Sequence, residues 1–322
     1  MSHRWSRTAL VLGTLAGPWR LVTAQTQYYN LDAGRPTRVE DAVPAERYAL
    51  EVLLASIRVE RFSNGVQRWR TDPHISYGIL PFTELEVRVP LVHTVFPDRI
   101  TPSSTGIAGL AVGGLHAFNL ETPHLPAFAI GAELLLPLGQ FSGPAASYTM
   151  KTLITRSTNF ARFHFVGSGG TYSIQSRPAP DTTCVPSKGC LDPLVAIPGD
   201  VPCVSAQATA SQPSPANLTS LLASADPGRT GGQHWLMGIG ADRAWGLQSL
   251  LVSGSLYAER FVGLYSSTDW TAEIGTRHQW TPRLVFDIGA SRRFAGEVQS
   301  SAATVGLTYS FSTRALFGRS AR

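Results

Sequence analysis

Between Val66 and Ile79 the chain alternates Trp69, Thr71, Pro73, Ile75, Tyr77 and Ile79 with Arg68, Arg70, Asp72, His74, Ser76 and Gly78. The same period of two recurs down the chain. Leu85, Val87, Val89 and Leu91 oppose Glu84, Glu86 and Arg88, and Trp270, Ala272 and Ile274 oppose Thr271, Glu273, Gly275 and Arg277. A period of two is the mark of a strand with two unlike faces. By that criterion about 12 strands are expected. Their spans are 47–61, 66–79, 83–95, 106–119, 126–138, 148–158, 160–173, 232–243, 247–260, 267–280, 283–294 and 299–311. Most approach the roughly 10 residues of a tilted membrane strand, against roughly five or six for a soluble one.

The connections alternate too. Leu80–Thr83, Ser157–Phe160, Ala244–Gly246 and Trp280–Arg283 are tight, and Asn64-Gly65 is a hairpin turn. Longer loops at 96–105, 139–147 and 174–231 fall between them. Short turns on one side and long loops on the other are the habit of bacterial outer-membrane barrels, with the short turns in the periplasm. The expectation is an all-β, transmembrane, antiparallel up-and-down β-barrel in the cell outer membrane. Its oily rows touch hydrocarbon. Its ionic rows line the interior: Arg68, Arg70, Asp72, His74, Glu86, Arg88, Glu133, Lys151, Arg162, His164, Asp242, Glu259, Glu273, Arg277, Asp287 and Arg293. Two features resist the simple pattern. Pro73 and Pro90 sit inside strands and lack a ladder donor, so a bulge is expected at each. In the first strand Glu51 and Arg58 fall on opposite faces of an unbroken alternation, which leaves its inner side open.

Composition narrows this further. Only 15% of the 322 residues are charged, against roughly 25% in typical soluble proteins. The start, with Arg4 and Arg7 before the apolar run Thr8–Gly17 and small residues at Val22-Thr23-Ala24, reads as a secretory signal peptide over 1–24. Without it the chain holds 24 basic and 22 acidic side chains, a net charge of +2, which removes the electrostatic case for nucleic acid. No stretch is long and apolar enough for a spanning helix. The expected organisation is the signal peptide, a periplasmic segment 25–46, the barrel 47–311 with external loop 174–231, and a tail 312–322.

The stretch "PHISYGILPFTELEVRVPLV" resembles the bacterial outer-membrane family named for the meta-pathway of phenol degradation. Tyr77-Gly78, the tight turn after it and Pro90-Leu91 carry the likeness. Ala127–Gly139, with Pro137 and Gly139, resembles the family's next landmark, and "RFHFVGSGGTY" and "SLYAERF" resemble later strands. The resemblance implies a monomeric barrel and a transport role. Val305, Leu307, Tyr309 and Phe311 resemble the terminal strand by which the barrel-assembly machinery recognises its clients, although the chain runs on past Phe311.

A barrel of this size lies between filled and open ones, so its charges could line a pore or pair into a closed network. The function expected is a passive channel for small solutes, hydrophobic or aromatic ones among them, with outer-membrane lipid and lipopolysaccharide as surroundings. A structural or adhesive surface protein is the alternative. Cys184, Cys190 and Cys203 all lie in 174–231, where an oxidising periplasm permits a disulfide in any pairing. Without a nearby histidine they make a poor zinc site. The sequon at Asn217 reads as chance. An outer-membrane lipid hydrolase would need a serine beside an outward histidine. His93, His116 and His278 face outward, but no serine lies clearly opposite His93. No catalytic residue, metal or cofactor is expected.

Overall fold

The structure, a computed structural model, describes residues 35–97, 103–173, 231–245, 249–262 and 267–312. Its strands are β1 (Ala49–Phe62), β2 (Gln67–Thr71), β3 (His74–Leu80), β4 (Thr83–Arg88), β5 (Leu91–Val95), β6 (Ser104–Ile107), β7 (Leu110–Asn119), β8 (Ala127–Leu136), β9 (Ser147–Ser157), β10 (Arg162–Ser173), β11 (Gly231–Trp245), β12 (Leu250–Val262), β13 (Asp269–Thr281), β14 (Leu284–Ala295) and β15 (Ser300–Ser312). All pairings between them are antiparallel, and β15 returns to β1 from Ala49↔Ser312 to Phe62↔Ser300, so the sheet closes on itself. β2 runs on into β3, β4 into β5, and β6 into β7. The wall is therefore a barrel of 12 staves, as the alternation predicts. Closure through β1 and β15 carries the staves round the full circle, as a sheet in hydrocarbon requires.

The two faces separate as expected. Ile75, Val87 and Ile274 are 49%, 44% and 62% exposed on the outer surface, whereas Arg277 and Asp287 are 2% and 1% exposed inside. In water such a belt of bare apolar side chains would be an aggregation surface; against lipid it is the favourable arrangement. The tight turns gather at one end, where Phe118 stacks on Phe128 and Arg243 lies over Phe160 and Trp245. Short turns mark this end as periplasmic. Asn64-Gly65 turns at the other end, with Gly65 at φ +86.

The prolines are accommodated differently from the expectation. The ladder is interrupted at Asp72-Pro73 and at Val89-Pro90, but the extra residue lies in the neighbouring stave each time. In β1 the register against β15 shifts between Leu53 and Ala55, so Leu54 is the additional residue. Beyond Pro90 three residues, 108–110, face two, 89–90, and Gly109 takes φ +149. Each proline thus keeps its carbonyl bonded, Pro73 O to Val89 N at 3.1 Å and Pro90 O to Ala108 N at 2.8 Å. The bulge at Leu54 also settles the first strand. One inserted residue reverses the parity, so Glu51 and Arg58 both face inward.

One expectation is overturned. Residues 35–46, read as part of a periplasmic segment, lie inside the barrel. Arg35, Thr37, Val39, Asp41, Ala42 and Ala45 are all buried. The lumen of a barrel this size is too wide for its own side chains to fill, and this segment occupies it. The signal-peptide region 1–24, loop residues 174–230 with Cys184, Cys190, Cys203 and Asn217, and the tail beyond residue 312 lie outside the described residues.

Candidate functional site: a polar lumen occupied by the N-terminal segment

The segment enters from the start of β1 at the periplasmic end. Tyr48 N donates to Gly78 O at 2.7 Å, Ala45 N to a Glu84 carboxylate oxygen at 2.6 Å, and Ala42 N to Thr155 Oγ1 at 2.8 Å. Further along it crosses the lumen. Glu40 pairs with Lys151 of β9 and Asp41 with Arg162 of β10 (3.6 Å). On the far wall Arg38 forks onto Glu259 of β12 through Nη1 (3.1 Å) and Nη2 (2.9 Å), and its amide donates to Glu273 of β13 at 2.5 Å. Glu259 above all, with Tyr257 and Glu273, holds the Arg38 guanidinium above its ordinary range against the opposing cost of burial. Arg35 donates to Asp287 of β14 at 2.9 Å and to Thr308 of β15 at 3.3 Å.

The wall leaves room for it. Val39 lies against Gly238 and Gly240 of β11, where an added Cβ would meet its methyl groups at 3.0 and 3.1 Å. Pro36 lies against Gly275 and Gly289, and a Cβ at Gly289 would meet its carbonyl oxygen at 2.5 Å. Val39 and Ala42 also complete an apolar cluster with Leu115, Ala129, Leu153, Val166, Leu236 and Tyr257. The lumen is therefore not purely ionic, contrary to the simple reading of its rows. A segment held inside needs an apolar seat as well as charge partners, and burying a valine contributes about 1.5–3 kcal/mol.

The ionic residues of these rows are mostly paired. Arg162 forks onto Asp242 at 2.9 and 2.8 Å, and His164 Nε2 lies 2.7 Å from the same carboxylate. Arg88 joins Glu133 and lies 3.9 Å from Glu86, which is 3.8 Å from His74. Arg70 pairs with Asp72 at 2.7 Å, and Arg68 lies over the Phe62 ring. Glu273 also takes Arg58 at 3.4 Å. Arg293 lies 3.2 Å from Asp269 and 3.7 Å from Glu60. Arg277 is opposite Asp287 across β13 and β14. The residues missed by sequence reasoning are the segment itself and the glycines that seat it. Their one signal was the recurrence of glycine at inward positions of β11, β13 and β14.

Two cavities lie within the barrel, and the segment lines the first of them. On the periplasmic side one of about 730 Å³ lies between Ala42–Arg47 and the ends of β7, β8 and β9. On the external side one of about 250 Å³ lies among β2, β5, the end of β8 and the loop at Phe141. Outward histidines do meet hydroxyls, but those of threonines: His93 Nδ1 is 2.6 Å from Thr105 Oγ1, and His116 Nδ1 is 2.9 Å from Thr83 Oγ1. Each is a directly opposed cross-strand pair. Among the described residues no group of three or more His, Cys, Asp or Glu is placed to hold a metal.

A closed wall with a lipid-facing belt and a filled polar lumen defines a transmembrane barrel of the outer-membrane type. No family model matches the chain, and no curated protein does. Solved structures do. The COG4313 outer membrane channel from Pseudomonas putida F1 is similar over 87% of this chain and 100% of its own, with a TM-score of 0.54 and 8% identity. The NanC porin gives a TM-score of 0.46 at 8% identity, over 79% of this chain and 98% of its own. The CymD monoaromatic hydrocarbon channel gives 0.40 at 9% identity, over 84% and 90%. The first likeness is one of architecture: this chain shares the channel's barrel.

Proposed function

We propose that the protein is a passive outer-membrane channel for small solutes, non-enzymatic, whose path in the resting state is filled by residues 35–48. One observation carries this reading: residues 35–45, which fill the lumen, are held by contacts to wall side chains rather than by strand pairing, and a cavity lies beside them at the periplasmic end. A barrel meant only as a scaffold has no use for wall glycines that make room for a separate segment. Hydrophobic and aromatic solutes are the finer part of the proposal. The resemblance to the meta-pathway phenol family, carried by Tyr77-Gly78 and Pro90-Leu91, supports them, as do Leu135, Leu136 and Phe141 in the wall of the external cavity.

Planar-bilayer conductance and liposome swelling test it, on the full chain and on a variant lacking residues 35–46. The full chain should conduct weakly, and the deletion should conduct several-fold more. Silence from both, in preparations whose heat-modifiable gel migration shows folded barrels, would return the protein to a closed structural role.

A further inference from the structure

At the external end of β14, β15 and β1 the outer wall carries two arginines with no carboxylate beside them. Arg61 of β1 and Arg292 of β14 each lie directly opposite Ser301 of β15, one from either side. Both are exposed. Two strand spacings separate them, about 10 Å between Cα atoms. Arg292 reaches over β15: its Nη1 donates to Ser301 Oγ at 2.6 Å and its Nη2 to Gln299 Oε1 at 3.2 Å. Those partners are neutral, so they aim the guanidinium toward β1 and leave its charge intact. Among the described residues no carboxylate lies within ion-pair reach of Arg61 or Arg292, Glu297 in the hairpin between β14 and β15 included. On the inner face, one residue along each strand, Glu60 lies 3.7 Å from Arg293. There cation meets anion. On the outer face at the same level two cations flank a serine.

That level is the boundary between headgroups and hydrocarbon. Phe294, Trp270 and Trp69, all exposed, lie within two positions of the Arg61–Ser301–Arg292 row on their own staves, as girdle aromatics do. One step toward the midplane the wall reads Val59, Ala303, Ala290 and Ile274 across β1, β15, β14 and β13. Two alanines between larger side chains leave a shallow trough beneath the arginines. A free phosphate would use the arginines and leave the trough empty. A zwitterionic lipid would bring its own cation against them. We infer that this patch is a site for a phosphorylated, acylated lipid of the external leaflet, the glycolipid anchor of lipopolysaccharide. Its phosphate bridges Arg61 and Arg292 in the forked geometry guanidinium favours, and its hydrocarbon starts down the trough over Ala303 and Ala290. The site lies on the outer wall and is independent of whether the lumen conducts.

Native mass spectrometry of the full chain folded in detergent tests the site with four probes: diphosphoryl lipid A, the same glycolipid stripped of phosphate, phosphatidylethanolamine and inorganic phosphate. The diphosphoryl lipid should bind about tenfold more tightly than the stripped one, as charge-assisted hydrogen bonds allow, and phosphatidylethanolamine no better than the stripped one. The double variant Arg61→Gln, Arg292→Gln should abolish the difference. Arg243→Gln, which removes an outward arginine at the periplasmic end, should keep it. Ser301→Asp gives both arginines an anion of the chain's own. It should displace the lipid while the folded, heat-modifiable band is kept, so the site remains testable if the double variant fails to assemble. Equal binding of the phosphorylated and stripped lipids by the wild type overturns the site, as does a preference that survives either the double variant or Ser301→Asp. Displacement of the lipid by millimolar inorganic phosphate overturns it too, because the arginines would then be a plain anion site.

Discussion

Pro36 and Val39 rest where the wall offers no side chains. Gly275 and Gly289 lie beneath the first, Gly238 and Gly240 beneath the second. A branched side chain at Gly275 should lift the segment from its seat. Gly275→Val is expected to raise single-channel conductance toward that of the 35–46 deletion, while Ile274→Val, next door but facing lipid, leaves it unchanged. Arg35 and Asp287 are buried together at 3% and 1% exposure. Asp287→Ala strands a buried guanidinium and should cost about 3 kcal/mol in denaturant titrations of the folded barrel. At this scale the sequence was half legible. Outside β1, the face of each charge followed from parity alone. Its partner did not, because the partners of Lys151, Glu259 and Asp287 come from a segment with no strand pattern, and pairing across a lumen leaves no local spacing to read.

Among the elements, β1 shows how much one residue decides. Leu54 is 60% exposed, and Leu53 just before it is 2% exposed. Deleting Leu54 removes the extra residue and leaves an unbroken alternation in which Glu51, Arg58 and Glu60 still face inward, but β1 then has no bulge opposite Pro73. The deletion should therefore still assemble, with its heat-modifiable band kept, but that band should convert at a lower temperature because Asp72-Pro73 loses the slack the bulge gives it. Pro73→Val and Pro90→Val act in the opposite sense. Each supplies the missing amide to its stave, and hydrogen exchange along β2, β4 and the 108–110 bulge should slow. Strand existence and order were legible from periodicity and turns. The site of each bulge was not, since a proline says only that its own amide is absent and leaves the neighbouring stave to absorb the mismatch.

For the molecule as a whole, wall and segment are separable. The sheet closes through β1 and β15 without help from residues 35–46, so the deletion variant should still fold and migrate as a barrel. The segment's hold is largely ionic: Glu40–Lys151, Asp41–Arg162 and Arg38–Glu259. Screening weakens such contacts where water reaches them. Raising salt should therefore increase the open fraction of the full chain beyond the rise in bulk conductivity, and leave the deletion following bulk conductivity alone. The glycine seats carry one more consequence. They belong to β11, β13 and β14, one side of the barrel only. With the segment withdrawn, that flank shows bare backbone at the four glycines, set among Glu259, Glu273 and Asp287, which lose Arg38 and Arg35 as partners. The roomiest route would then hug β11–β14 rather than follow the central axis, and a solute travelling it would pass peptide groups set among carboxylates that the segment had paired.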